Sequence, residues 1–130
     1  MTRGRVWTVL IADDDELVCE ALADLVASEP AFKVVGVAKD AEEAVALGCD
    51  RLPDAAIVDV RMPKGGGLRV LREISACSPK TKVVALSAEP EKASEEAMVA
   101  AGAVAYLTKG VHGGQLLDIL RDVVTGVSGR

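Results

Sequence analysis

The chain has 130 residues, enough for one domain with a proper hydrophobic core, and half of them are apolar. Aromatic residues make up only 2%, so Val, Ala, Leu and Ile must fill that core. A net charge of -5 and a pI near 4.9 exclude a basic surface for direct nucleic-acid contact, and the apolar runs are too short for a membrane span. The opening MTRGRVWTVLIADDD meets carboxylates too early for a signal peptide, so a cytoplasmic protein is expected. Cys19, Cys49 and Cys77 share no CxxC spacing and are expected as buried, reduced thiols. His112 is the only histidine, which excludes a histidine-based metal cage.

Strand-like and helical runs alternate along the chain. Val6 to Ala12 is apolar and β-branched and stops at Asp13-Asp14-Asp15. Asp15 is a good cap for a helix with Leu17, Val18, Ala21, Leu22, Leu25 and Val26 on one face, ending before Pro30. Phe32 to Ala38 is the second strand. Asp40 opens the next helix, Glu43 completes a capping-box pattern, and Gly48 is the expected left-handed end. Ala55 to Asp59 is the third strand, followed by Arg61, Met62, Pro63 and a Lys-Gly-Gly-Gly turn. Leu68, Leu71, Ile74 and Ser75 suggest a helix to about Cys77. Thr81 to Leu86 is the fourth strand, ending at Ser87. Pro90 is expected in the first turn of a helix reaching Gly102, whose apolar stripe is only alanines and Met98. Ala103 to Leu107 is the fifth strand. A last helix, Gln115 to about Val124, buries Leu116, Ile119, Leu120 and Val123, and a small polar tail follows.

Five strand-then-helix units imply an α/β fold with a single doubly wound, five-stranded parallel sheet, because each parallel connection needs a crossover. The ligand crevice of such a sheet lies at the carboxyl ends of its strands. Those ends carry Asp13 and Asp14, Asp59, Ser87 and, two residues past the fifth strand, Lys109. A plainer reading, helix caps plus one solvated lysine, explains Asp15 but not Ser87 and Lys109 at matching strand ends. Three crowded carboxylates repel unless a hard cation joins them, and an all-oxygen site with room for water suits Mg²⁺. Phosphoryl transfer to Asp59 uses every part: the carboxylate attacks phosphorus, Lys109 neutralises the phosphoryl oxygens, and Ser87 donates to one of them.

The motifs VLIADDDELV, AIVDVRMPKGGGL, VVALSA and AVAYLTKG together resemble the receiver domain of bacterial response regulators, over about Val6 to Val124. GAVAYLTKG, ADDDELV and the absence of proline after Lys109 are most similar to receivers of LuxR-type regulators. The resemblance implies a flavodoxin-like (βα)5 fold with strand order 2-1-3-4-5, occupying residues 6–125. Residues 1–5 are then an N-terminal tail and 126–130 a C-terminal tail or the start of a linker. It also implies a phosphoacceptor switch and not an enzyme: Asp59 takes a phosphoryl group from a histidine kinase. Asp14, Asp59 and the Arg61 backbone carbonyl bind Mg²⁺, with Asp13 acting through water. Ser87 and Tyr106 form the switch pair, and Lys109 contacts the phosphoryl group. The face made by the fourth helix, fifth strand and fifth helix then changes, to be read by a partner or a second copy in a homodimer. The expected output is transcription regulation through a DNA-binding domain outside this chain; a stand-alone receiver is the alternative. Arg61 and Glu89 flank the site and are expected to pair across its mouth, slowing attack by water. An aspartyl-phosphate phosphohydrolase ranks lower, because Arg61 stands where such enzymes place a second Asp.

Overall fold

The computed structural model describes residues 4–126; Met1–Arg3 of the expected N-terminal tail and Val127–Arg130 of the expected C-terminal tail lie outside them. Its elements are β1 (Trp7–Ala12), α1 (Glu16–Ala27), β2 (Phe32–Ala38), α2 (Ala41–Arg51), β3 (Ala55–Asp59), α3 (Gly66–Cys77), β4 (Lys82–Ser87), α4 (Lys92–Ala100), β5 (Ala105–Thr108) and α5 (Gly113–Thr125). The five strands form one parallel sheet in the order β2-β1-β3-β4-β5. This is the doubly wound arrangement read from the alternating pattern.

Period-two alternation along each strand divides the core into two layers. Leu10, Ala12, Ala56, Val58, Val83 and Ala85 face α2, α3 and α4, packing on Ala44, Val70, Leu71, Ile74 and Met98. Val9, Ile11, Ile57, Val84 and Leu86 face α1 and α5, packing on Cys19, Val26, Leu116 and Leu120. Every residue of β3 is buried, so the middle strand carries no solvent face. Burying one side chain such as Ile57 or Leu10 contributes roughly 1.5–3 kcal/mol.

Local chemistry sets the helix starts. Asp15 caps α1 by accepting from the amides of Leu17 and Val18, and Asp40 caps α2 by accepting from Glu43 at 2.8 Å. Glu43 reaches back to the Lys39 amide at 2.8 Å, closing the box one residue earlier than the usual reciprocal pattern. Arg5 is tethered by an ion pair to Asp54 at 2.9 Å and stacks 4.0 Å from the Trp7 ring centroid.

Several expectations need correction. Gly48 does not end α2; it is buried inside the helix, and Leu52 takes the left-handed cap with φ 48°. The glycine is there because a Cβ would sit 2.6 Å from Ile74 Cδ1. Of the expected α1 face Val26 is buried, but Leu17 and Ala21 are exposed and the unpredicted Cys19 is buried, because the inward face turns toward β1 and β2. Pro90 precedes α4, whose cap is the extended Glu91. Cys49 and Cys77 are not reduced thiols: they form a disulfide between α2 and α3, with Cα atoms 5.4 Å apart. The close approach of the two helices at Gly48 and Ile74 brings them within bridging range. Cys19 alone is free and buried, as expected of all three.

Candidate functional site

Parallel pairing carries the ends of β1, β3, β4 and β5 to one edge of the sheet, and the predicted constellation assembles there. Asp13 follows β1 and is 1% exposed, Asp59 ends β3 at 5%, and Ser87 ends β4 at 6%. Lys109 follows β5, its amide donating to the Ser87 carbonyl at 2.9 Å. Its ammonium lies 2.8 Å from Asp13 Oδ2 and 3.3 Å from Asp59 Oδ2, joining the two carboxylates. The remaining oxygens are held by backbone: the Asp15 amide donates to Asp13 Oδ1 at 2.8 Å, and the Arg61 amide to Asp59 Oδ1 at 3.2 Å. Asp14 is exposed on the rim.

Asp14, Asp59, Arg61, Ser87, Glu89 and Lys109 line a cleft of about 210 Å³. One carboxylate oxygen from each of Asp13, Asp14 and Asp59 lies within 4.8 Å of the others. Asp13 Oδ2 is buried, and despite the nearby ammonium it has no aligned hydrogen-bond donor among the described residues. An all-oxygen cluster with such an oxygen fits a hard divalent cation better than zinc.

Burial pushes the Asp59 carboxyl up to about 6 from 3.8, and the Asp13 charge adds to this against the opposing Arg61 amide and Lys109. Burial alone would lower the Lys109 pKa, but the neighbouring Asp13 and Asp59 outweigh it and raise it. The site therefore holds more negative charge than its one lysine neutralises, and the middle carboxylate bears the strain.

The loop after Asp59 is shaped by its glycines. Gly67 donates to the Val60 carbonyl at 2.9 Å, and a Cβ there would meet the Asp59 carbonyl oxygen at 2.7 Å, so only glycine lets α3 begin so close to the strand. Ala41 of α2 donates to the Pro63 carbonyl at 3.0 Å, and Lys64 pairs with Asp40 and Glu42.

Two predicted members stand apart. Tyr106 is half-buried outside the cleft, its ring packed against the α2–α3–α4 layer and its hydroxyl buried without a partner among the described residues. Arg61 does not pair with Glu89; its guanidinium meets Glu91 at 3.3 Å, because Glu89 stays on the cleft wall while the extended Glu91 reaches across. The sequence reading missed Glu91, since two acids flanking Pro90 are equivalent until the loop path is known. It also missed Cys19, whose thiol donates to the Asp13 carbonyl at 3.1 Å behind the site; its place four residues after the capping Asp15 was the available signal.

The fold is a doubly wound α/β sheet whose candidate ligand site is a lysine-bridged acidic cleft at the carboxyl ends of its strands. The chain belongs to the response regulator receiver domain family, which matches residues 9–121. It is 35% identical over 123 residues to the DNA-binding transcriptional activator DevR/DosR of Mycobacterium tuberculosis, covering 92% of this chain and 55% of that protein. The signal receiver domain of the response regulator NarL from Mycobacterium tuberculosis superposes with a TM-score of 0.89 at 28% identity, covering 94% of this chain and 98% of that one. The CheX-CheY-BeF3-Mg complex from Borrelia burgdorferi matches with a TM-score of 0.84 at 26% identity, covering 90% and 88%. The chain spans about half the length of the curated relatives it matches, 55% for DevR/DosR. It is a receiver domain of two-component signalling whose relatives include transcriptional regulators.

Proposed function

We propose that Asp59 is the phosphoacceptor of this receiver and that a histidine kinase is the donor. The observation that carries the reading is the Lys109 ammonium shared between Asp13 and Asp59, 2.8 and 3.3 Å away, at the mouth of an acidic cleft. A carboxylate oxygen of Asp59 attacks phosphorus, the bond from phosphorus to the donor's imidazole nitrogen breaks, and that nitrogen leaves with the electron pair. Lys109 follows the charge onto the phosphoryl oxygens, and Ser87 donates a hydrogen bond to one of them. Asp14, Asp59 and the Arg61 carbonyl would hold Mg²⁺, with Asp13 assisting, and the ion would supply neutralisation of the phosphoryl oxygens. Replacing Asp59 by Asn abolishes labelling by acetyl phosphate with Mg²⁺; persistent stoichiometric labelling would remove Asp59 from the role.

Ser87 and Tyr106 form the switch pair in this reading. Phosphorylation adds nearly two negative charges at the strand edge. Ser87 moves toward them, and the Tyr106 ring takes up the space. The Tyr106 hydroxyl, without a partner among the described residues, supports a side chain that no hydrogen bond anchors. The α4–β5–α5 face then offers a changed surface to a partner or to a second copy in a homodimer. The output is transcription regulation through a DNA-binding domain beyond this chain, since the DevR/DosR relative is a DNA-binding activator; protein contact by a stand-alone receiver is the second reading. The setting is cytoplasmic, and no described helix is long and apolar enough to cross a membrane. A separate-substrate phosphohydrolase is disfavoured by Arg61, which occupies the place of a second acid.

A further inference from the structure

Outside the acidic cleft, the chemistry that the phosphoacceptor role leaves unused is the sulfur pair on the far side of the sheet layer. We propose that Cys49 and Cys77 form a reversible thiol–disulfide exchange site, a covalent staple that small thiols open and that sets how firmly α2 and the β3–α3 loop are held. This goes beyond the phosphoacceptor reading and does not depend on it.

The pair is selective. Cys49 and Cys77 have Cα atoms 5.4 Å apart, whereas Cys19 lies in the opposite core layer, 3% exposed, where it cannot compete for either sulfur. The pair is also reachable. Cys77 ends α3 as an exposed residue and lines a recess of about 330 Å³ with Leu52, Pro53, Asp54 and Lys80. Cys49 is half-buried on α2, so an incoming thiolate meets the Cys77 sulfur first. In the reducing setting proposed above, such a disulfide is transient and regulatory.

What the staple controls follows from where it closes. The bond spans 28 positions and encloses β3, Asp59 and the whole β3–α3 loop. At its other end α2 grips that loop through the Ala41 amide on the Pro63 carbonyl at 3.0 Å and through Lys64 on Glu42 at 3.2 Å. The loop is thus held by α2 at one end of the helix pair and by sulfur at the other. In the opening step a thiolate attacks Cys77 Sγ, the bond to Cys49 Sγ breaks, and Cys49 leaves as a thiolate that takes a proton from water. A second thiol attacks the external sulfur of the mixed disulfide and releases Cys77. In sum, two thiols become one external disulfide and the protein gains two thiol groups; an external disulfide such as oxidised glutathione runs the reaction backward.

The test equilibrates wild-type protein in glutathione buffers of rising reduced-to-oxidised ratio, traps thiols by alkylation and follows amide hydrogen exchange. The trapped count moves from one thiol to three and returns when the ratio is reversed. Reduction raises exchange in the last turn of α2 and in residues 62–67 by about tenfold or more, while β1 and α5 hold. A Cys49→Ser/Cys77→Ser protein exchanges at the reduced rate with or without glutathione. Three free thiols in oxidised glutathione alone would overturn the proposal. So would equal exchange in the two forms of the wild-type protein, a comparison that needs no substitution.

Discussion

The two sides of β3 are held very differently. On the α2–α3 side, Gly48 lets the helices touch at Ile74, a disulfide joins their ends, and Lys64 ties the loop to Asp40 and Glu42. On the α4–β5 side, α4 buries only Met98, has no side-chain cap, and β5 has no fully buried residue; the Tyr106 hydroxyl is unpaired. The acidic cleft lies between them. In the proposed phosphoacceptor reading, metal binding and in-line attack need carboxylates fixed within a fraction of an ångström, a demand the stiff half meets. In the same reading a signal needs a surface that moves at small cost, and the loose half is the side suited to it. The difference assigns geometry to one flank and response to the other.

The sharpest way to break this contrast is to remove the staple. The Cys49→Ser/Cys77→Ser protein should lose about 3–4 kcal/mol in denaturant unfolding, because the closed loop no longer restrains the unfolded chain. Gly67→Ala comes next. Its Cβ meets the Asp59 carbonyl, a backbone atom that cannot turn aside, so about 1–3 kcal/mol of stability and much of the acetyl phosphate labelling should go together.

Asp59→Asn should act in the other direction on metal-free protein. The folded carboxyl titrates near 6, above its ordinary 3.8, so the folded state binds the proton more tightly. Wild-type stability therefore falls as pH rises from about 3.8 to about 6 and is level above. Allowing for screening by water in the open cleft, Asn should gain about 1–2 kcal/mol at neutral pH, with the gain shrinking to nothing near pH 4. A pH series of unfolding midpoints with EDTA checks the sign, and added Mg²⁺ should erase the difference. Tyr106→Phe removes a buried hydroxyl that has no partner and should leave stability within about 1 kcal/mol of wild type or slightly above, while altering the partner-facing response. Smallest is Glu91→Ala: its pair with Arg61 is exposed on both sides, so the unfolding midpoint should move by less than the equivalent of about 0.5 kcal/mol.

Much of the site was legible because a parallel sheet makes strand ends coincide. Once Ala12, Asp59, Ser87 and Thr108 are recognised as ends, Asp13, Asp59, Ser87 and Lys109 must share an edge. The cap residues were equally readable, since Asp15 and Asp40 act on amides two or three residues away. Side-chain partners across loops were not: the choice between Glu89 and Glu91 for Arg61 depends on the path around Pro90.

The sequence by itself determined the order of elements, the two-layer core and the identity of the acidic edge, because strand alternation and helix periodicity are local properties that burial enforces. Tertiary structure alone decided that Gly48 is a contact and not a cap, that Cys49 meets Cys77, and that Arg61 meets Glu91. Each of those depends on the distance between two elements, and that distance is set by packing of the whole core, which no local pattern encodes.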